Sequence, residues 1–373
     1  MDASSGNCRL VCLPTVFRLP CGMTALLYGA TGYTGRLIAR LAAEHDIRPV
    51  LAGRDADALQ AMSDELALEH RVFELSRNAD VDGGLDGIDV VLHCAGPFIH
   101  TFRAMADACL RRGTHYVDIT GEIDVFEALA SRADEARDAG VMLLPGAGFD
   151  VVPSDCLAAY LAARLPTATR LLLGIHGSGQ LSYGTASTAI ENQERGGLIR
   201  RGGDLVRVPA AWRTRTIDFG DGRAREAVTI PWGDVATAYY STGIPDIEVY
   251  AAVPPRLIRV MRATRNLGWL LRNRRVKSLQ RRLLRARAPG PADDELGFGE
   301  SRIWGHVEDD DGNAATAALS GPNGYLLTAH ASLIVLRRVL AGEAPPGFQT
   351  PSRAYGADLV LEVPGTKRFD ITA

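Results

Sequence analysis

Apolar positions along the chain fall into short continuous runs, separated by stretches with apolar side chains at helical spacing. Ala25-Leu26-Leu27-Tyr28 reads as a buried strand, and residues 33–41 place their apolar side chains along one helix face. Further strands are expected at 49–52, 71–75, 89–93, 115–118 and 141–144, with helices over 56–68, 101–111 and 123–138 between them. Pro153 at a first helical position, with Asp155 two residues on, marks one more helix start. Alternation of this kind, continuing to about residue 165, predicts an α/β unit with a doubly wound, mostly parallel sheet.

The pattern then changes. A strand is expected at 170–176, followed by a hydroxyl-rich loop at 177–185 and a helix at 186–195. Asp-Gly turns around Gly220-Asp221-Gly222 and Asp310-Asp311-Gly312 predict hairpins, with strands near 238–241 and 247–253 between them. An apolar helix over 324–340 is stopped by Gly342 and Pro345, and a last strand is expected at 359–363. Consecutive strands with such turns predict a second, α+β domain on a mainly antiparallel sheet. The expected organisation is a disordered extension at 1–22, a first domain at 23–165 and a second at 166–373. The helix 324–340 is a candidate to pack back on the first domain.

Chemistry concentrates where the first strand meets the first helix. Gly29-Ala30-Thr31-Gly32-Tyr33-Thr34-Gly35 combines a tight turn, bare backbone and close helix packing, the arrangement that receives a dinucleotide pyrophosphate at a helix N-terminus in a Rossmann-type fold. A nucleoside triphosphate loop is excluded, because the Gly-Lys-Ser/Thr it needs is missing. The second strand ends at Gly53-Arg54-Asp55, where such folds read the adenosine ribose. Asp55 reads as the N-cap of the next helix, and Arg54 suits a 2′-phosphate, so NADP is the expected cofactor. The candidate cofactor contacts are Gly29, Thr31, Gly32, Tyr33, Thr34, Gly35, Arg54, the loop residues Ala95, Gly96 and Pro97, and Asp118. Asp118, Thr120 and Glu122, just past a strand end, either touch the nicotinamide half or cap the helix after them.

Composition narrows the remaining choices. The 373 residues, 46% hydrophobic, suit two ordinary packed cores, and a net charge of −3 gives no general attraction to nucleic acid. Six cysteines without a paired zinc spacing read as buried thiols in a reduced cytoplasm, and no metal is expected. No apolar run reaches the roughly 18 residues that a membrane span requires. Residues 256–287 carry twelve basic side chains and no acid along an amphipathic pattern. They read either as a solvated lid over the second sheet or as a patch for anionic lipid or a carrier protein. A cytoplasmic protein, with peripheral membrane contact and a homodimer left open, fits these features.

The residues resemble those of the saccharopine dehydrogenase-like oxidoreductases. The likeness rests on Gly29 to Gly35, Leu51-Ala52-Gly53-Arg54, Cys94 to Phe98, Tyr116-Val117-Asp118 with Gly121-Glu122, and Pro145-Gly146 through Pro153-Ser154-Asp155. Within that group the chain is similar to bacterial trans-acting enoyl reductases, which implies reduction of a C=C bond in a polyketide-derived lipid. The short-chain dehydrogenases share a comparable glycine triplet but use Tyr-x-x-x-Lys. Lys277 and Lys367, the only lysines, have Asn273 and Val363 four residues before them, so that route is closed.

Hydride transfer needs a partner that moves a proton. Tyr183 and His176 come first as candidates, since they border the loop expected to face the cofactor, followed by His100 and Asp118. Two other functions stay open: a C–N oxidoreductase of amino-acid metabolism, and an NADP-binding protein without turnover at a lipid surface.

Overall fold

In a computed structural model the structure describes residues 22–177, 196–263 and 299–372. The expected helix at 186–195, the basic stretch beyond 263, and residues 1–21 lie outside them. The first sheet contains β1 (Ala25–Tyr28), β2 (Val50–Gly53), β3 (His70–Val72), β4 (Val90–His93), β5 (His115–Asp118) and β6 (Met142–Leu144). All its pairings are parallel, in the order β6-β5-β4-β1-β2-β3. Strands β1, β2, β4 and β6 are buried along their whole length, as expected of a parallel sheet covered on both faces. The order reverses at β1, so the crevice beyond the carboxyl ends of β1 and β4 is the place for a ligand.

Three boundaries in this half differ by more than one residue from expectation. The second helix is Ala56–Leu66, ended by Ala67 in the left-handed conformation, and β3 closes at Val72. The stretch 123–138 is two helices, Ile123–Ala130 and Ala133–Asp138, interrupted where the Ser131 hydroxyl donates to the Ala128 carbonyl. The sheet also has a seventh strand, absent from the sequence reading. Gly347–Phe348 (β15) pairs in parallel with β6 at the sheet edge, although two hundred residues separate them in the chain. The helix Gly324–Leu340 that precedes it is capped by Asn323 and lies against the first helix, Tyr33–Glu44, and against β4 and β5.

Among the described residues the second sheet holds nine strands. They are β7 (Arg170–Gly177), β8 (Gly197–Arg201), β9 (Asp204–Val208), β10 (Thr214–Asp218), β11 (Ala224–Thr229), β12 (Asp246–Ala252), β13 (Glu300–Glu308), β14 (Ala314–Pro322) and β16 (Lys367–Asp370). Seven run in the order β10-β11-β12-β7-β13-β14-β16, and β8 joins β12 to β9. All pairings are antiparallel except β12 with β7. Two expected strands are helical. Residues 238–241 belong to the helix Asp234–Thr242, bounded by Gly233 and a left-handed Gly243. Residues Leu359–Glu362 form one 3-10 turn, whose Leu359 and Val360 are buried in the main core. Apolar side chains demanded burial at both places, and helix packing supplied it without a ladder.

The domains are locked by side chains that reach across. The helix Val152–Arg164 lies under the second sheet, and its buried Asp155 accepts hydrogen bonds from Ser241 and from the Ser352 N–H, the latter at 2.7 Å. Arg200 of β8 is 4% exposed; it pairs with Glu127 of the first domain at 2.5 Å and donates to the carbonyls of Val235 and Gly203. Its guanidinium also lies 4.3 Å from the ring centre of Tyr239. Removing one member of so buried a pair leaves the rest unsatisfied. Arg200→Met is therefore expected to lower the unfolding free energy by about 3 kcal/mol, read from urea titration, while Glu127→Gln costs less because Glu127 keeps partial contact with water.

Candidate functional site

Everything at the phosphate turn is set by backbone lying on backbone. Gly29 has φ +84°, and a β-carbon there would meet the Ala95 nitrogen at 2.8 Å. A β-carbon on Gly35 would sit 2.3 Å from the Gly29 carbonyl oxygen, so only glycine lets the helix Tyr33–Glu44 start this close to β1. That helix begins at Gly32 with no side-chain cap and no acid in its first turn. Its N-terminus thus keeps a positive field for an anion. Gly32 is exposed, Thr31, Tyr33 and Thr34 are half-buried, and Arg36 donates to the Thr31 carbonyl at 3.0 Å, which holds the turn. The Tyr33 ring meets Tyr325 edge-on at 5.0 Å, so the late helix abuts the turn from the other side.

Arg54 is exposed at the end of β2, while the Asp55 carboxylate is engaged in accepting the Ala58 N–H at 3.1 Å. This division of roles leaves a guanidinium, and no competing acid from Asp55, to meet a 2′-phosphate. Beneath it the Tyr28 hydroxyl donates to the Phe73 carbonyl, and burial pushes its phenol up to about 12 against the opposing pull of Arg54. These residues fit a phosphorylated dinucleotide.

The loop after β4 is held from below. Glu122 accepts the N–H groups of Phe98 at 2.7 Å and Ile99 at 3.0 Å, and Thr101 donates to the Ala95 carbonyl at 2.8 Å. Ala95 and Pro97 are half-buried and Gly96 is exposed, so this loop offers a surface to a ring lying across it. His93 is fully buried with one ring nitrogen 3.0 Å from the Thr101 hydroxyl, and burial lowers its pKa to about 3, so the ring is neutral.

Of the expected proton-moving residues that the structure describes, neither Asp118 nor His176 is presented to this crevice. Asp118 is fully buried; one oxygen accepts the N–H groups of Thr120 and Gly146, both at 2.9 Å, and the other accepts the Tyr116 hydroxyl at 2.6 Å. Its carboxylate therefore fixes two loops and presents nothing to a ligand, although burial raises its pKa to about 7. His176 lies on the face of the second sheet occupied by Phe219, 5.6 Å from that ring, while its neighbours Ile175 and Gly177 face the first domain. The alternation of the strand turns it away from the crevice. His100 is exposed, and Tyr183 lies outside the described residues. Among the described residues no group of three or more metal-ligating side chains occurs.

A carboxylate without an assigned role stands in the crevice instead. Asp150, on the loop leaving β6, is half-buried above Gly121, where a β-carbon would lie 2.7 Å from its Oδ2. Burial, followed by the charge of Glu122, raises its pKa to about 6. Neighbouring Phe149 donates its N–H to Thr328 at 2.9 Å and packs edge-on against Trp232 of the second domain at 6.5 Å. The signal in the sequence was available: one acid between paired glycines and a helix start, directly after a strand of the binding edge. Because the folded protein binds this proton more tightly than the unfolded chain does, ionisation costs stability as pH rises through the window from about 4 to 6. Asp150→Asn is expected to raise the unfolding free energy by about 1–2 kcal/mol at alkaline pH and to leave it unchanged well below the window, as read by thermal unfolding across pH.

Comparison with known proteins agrees with this geometry. Residues 25–144 match the family model of the saccharopine dehydrogenase NADP binding domain. The human saccharopine dehydrogenase-like oxidoreductase is 26% identical over 174 residues, which is 40% of this chain and 41% of that protein. A trans-acting enoyl reductase of Mycobacterium ulcerans is 31% identical over 153 residues, 37% of this chain and 35% of the relative. The matched stretches thus span about two fifths or less of these relatives. An apo saccharopine dehydrogenase (L-Glu forming) of Saccharomyces cerevisiae shares the fold at a TM-score of 0.65 and 13% identity, covering 94% of this chain and all of that one. Residues 25–144 thus match a saccharopine dehydrogenase NADP-binding domain, and over that part the chain is similar to saccharopine dehydrogenase-like oxidoreductases and a trans-acting enoyl reductase.

Proposed function

We propose that the protein is an NADPH-dependent oxidoreductase that reduces an enoyl C=C bond in a lipid or polyketide-type substrate. The observation that carries the cofactor reading is the uncapped helix N-terminus behind Gly29 and Gly35, with Arg54 exposed beside it and Asp55 engaged in its cap. In this reading the N–H groups from Gly32 onward take the pyrophosphate and Arg54 takes the 2′-phosphate. The loop Ala95–Pro97, held by Glu122 and Thr101, supports the nicotinamide half. The cofactor supplies the hydride; the chain orients it, excludes water and manages one proton.

Two features support an enoyl substrate over an amino-acid one. Relatives carry the name trans-acting enoyl reductase. In addition, the described junction of the two domains is walled by Phe149 and Trp232 and carries the acid Glu122, whose charge opposes the carboxylates of a keto acid or amino acid. A lipid surface or carrier protein fits the helix Pro255–Ala263, where exposed Leu257 and Val260 alternate with exposed Arg256, Arg259 and Arg262.

Arg54→Ala is expected to weaken NADPH binding by about 1.5–3 kcal/mol, or roughly ten- to hundredfold, with NADH binding unchanged; parallel calorimetric titrations measure both. NADPH consumption against enoyl thioesters, ketones and imines tests the reaction. Turnover confined to a keto acid with an amino acid would overturn the enoyl reading, and tight binding with no turnover on any probe would overturn the enzymatic one.

A further inference from the structure

We propose that Asp150 is the proton-transfer group of this crevice, a role that rests on the enoyl-reductase reading above. Its place follows from topology. The loop that carries it leaves the carboxyl end of β6, and Gly121, directly beneath its carboxylate, leaves the carboxyl end of β5. Both ends belong to the half of the sheet where Glu122 clamps the loop Phe98–Ile99, the surface assigned to the nicotinamide. The next residue back, Phe149, meets Trp232 of the second domain. Asp150 therefore sits where the first domain's binding edge and the second domain's wall converge.

Competing groups are excluded one by one among the described residues. Asp118 has both oxygens engaged by Tyr116, Thr120 and Gly146. Glu122 is committed to two backbone N–H groups, His93 is buried and neutral, and burial holds the Cys94 thiol protonated. His176 lies across the second sheet. From the elements packed around Asp150, Glu122 is the charged group that acts on it; Thr328 does not titrate, and Asp234 is bound by Ser154. No hydrogen bond among the described residues engages the Asp150 carboxyl, in contrast to Asp118 and Glu122. A carboxyl poised near neutrality and uncommitted is what general acid chemistry requires.

The enoyl β-carbon accepts a hydride from the reduced nicotinamide, forming a C–H bond as the C=C π bond breaks. The displaced electron pair passes to the α-carbon, in conjugation with the thioester carbonyl. Asp150 gives its proton to that carbon, and the resulting carboxylate is reprotonated from water. The substrate gains two electrons and two hydrogens, and the cofactor loses two electrons.

The decisive measurement needs no substrate. NADP⁺ carries a positive ring and NADPH a neutral one, so an ionised Asp150 beside the ring favours the oxidised form; the 2′-phosphate is common to both and cancels in the ratio of their dissociation constants. Between about pH 5 and about pH 8 the preference of the wild-type protein for NADP⁺ is expected to rise about tenfold. The ratio should be flat in Asp150→Asn, and shifted in Gly121→Ala, whose new methyl displaces the carboxylate. With crotonyl-pantetheine, Asp150→Asn should lose about 10²–10⁴-fold in kcat while NADPH affinity stays within about twofold.

A flat ratio in the wild-type protein overturns the proposal, as does full turnover by Asp150→Asn. If the wild-type protein binds NADPH but reduces no enoyl probe, the enoyl reading fails. The pH dependence of the ratio then still decides whether Asp150 stands at the ring.

Discussion

Main chain packed directly on main chain, with no β-carbon between, is the constraint from which the binding edge follows. Gly29 touches the backbone at Cys94 and Ala95, and Gly35 touches Gly29, so β1, the first helix and the loop after β4 form one rigid corner. A methyl group at either position would drive these elements apart, because neither contact ends on a flexible side chain that could yield. Rigidity here has a chemical result. The helix N-terminus stays uncapped and its field is aimed along the crevice, while the loop after β4 is held at a fixed distance from it.

Around that corner, buried carboxylates act as clamps for backbone. Asp118 gathers Thr120 and Gly146, Glu122 gathers Phe98 and Ile99, and Asp155 gathers Ser352 from the far end of the chain. Each substitutes protein donors for water and thereby fixes a loop that secondary structure alone would leave loose. Asp150 stands apart from this set. It shares the burial that raises the pKa of Asp118 and Asp155, yet lacks the hydrogen bonds that offset it. A carboxyl left in that state opposes stability above its pKa, the usual relation between a strained group and a working site.

The two domains are interlocked rather than strung together. The chain leaves the first sheet through Val152–Arg164, builds the second, then returns through Gly324–Leu340 to cover the first helix and add β15 at the sheet edge. Tyr325 against Tyr33 and Thr328 against Phe149 bring that returning helix to both ends of the crevice. Its position therefore bears on the phosphate turn and on the second domain's wall together.

How much of this was legible in the chain depended on how local its cause was. The glycine turn, the Asp55 cap, the buried strands of the first sheet and the hairpin turns are set by residues within a few positions of one another, and the sequence alone determined them. Residues 238–241 and 359–362 misled because apolar composition states that a segment is buried, not whether a ladder or a helix face does the burying. The two-residue β15 left no periodicity to read. Only the tertiary structure could show that Asp118 is sealed beneath two loops, that His176 falls on the outward face of β7, and that the Asp150 carboxylate lies over Gly121 without a hydrogen-bond partner among the described residues. Whether a titratable side chain works or merely holds is decided by which distant donors and walls surround it, and those arrive from elsewhere in the chain only once it has folded.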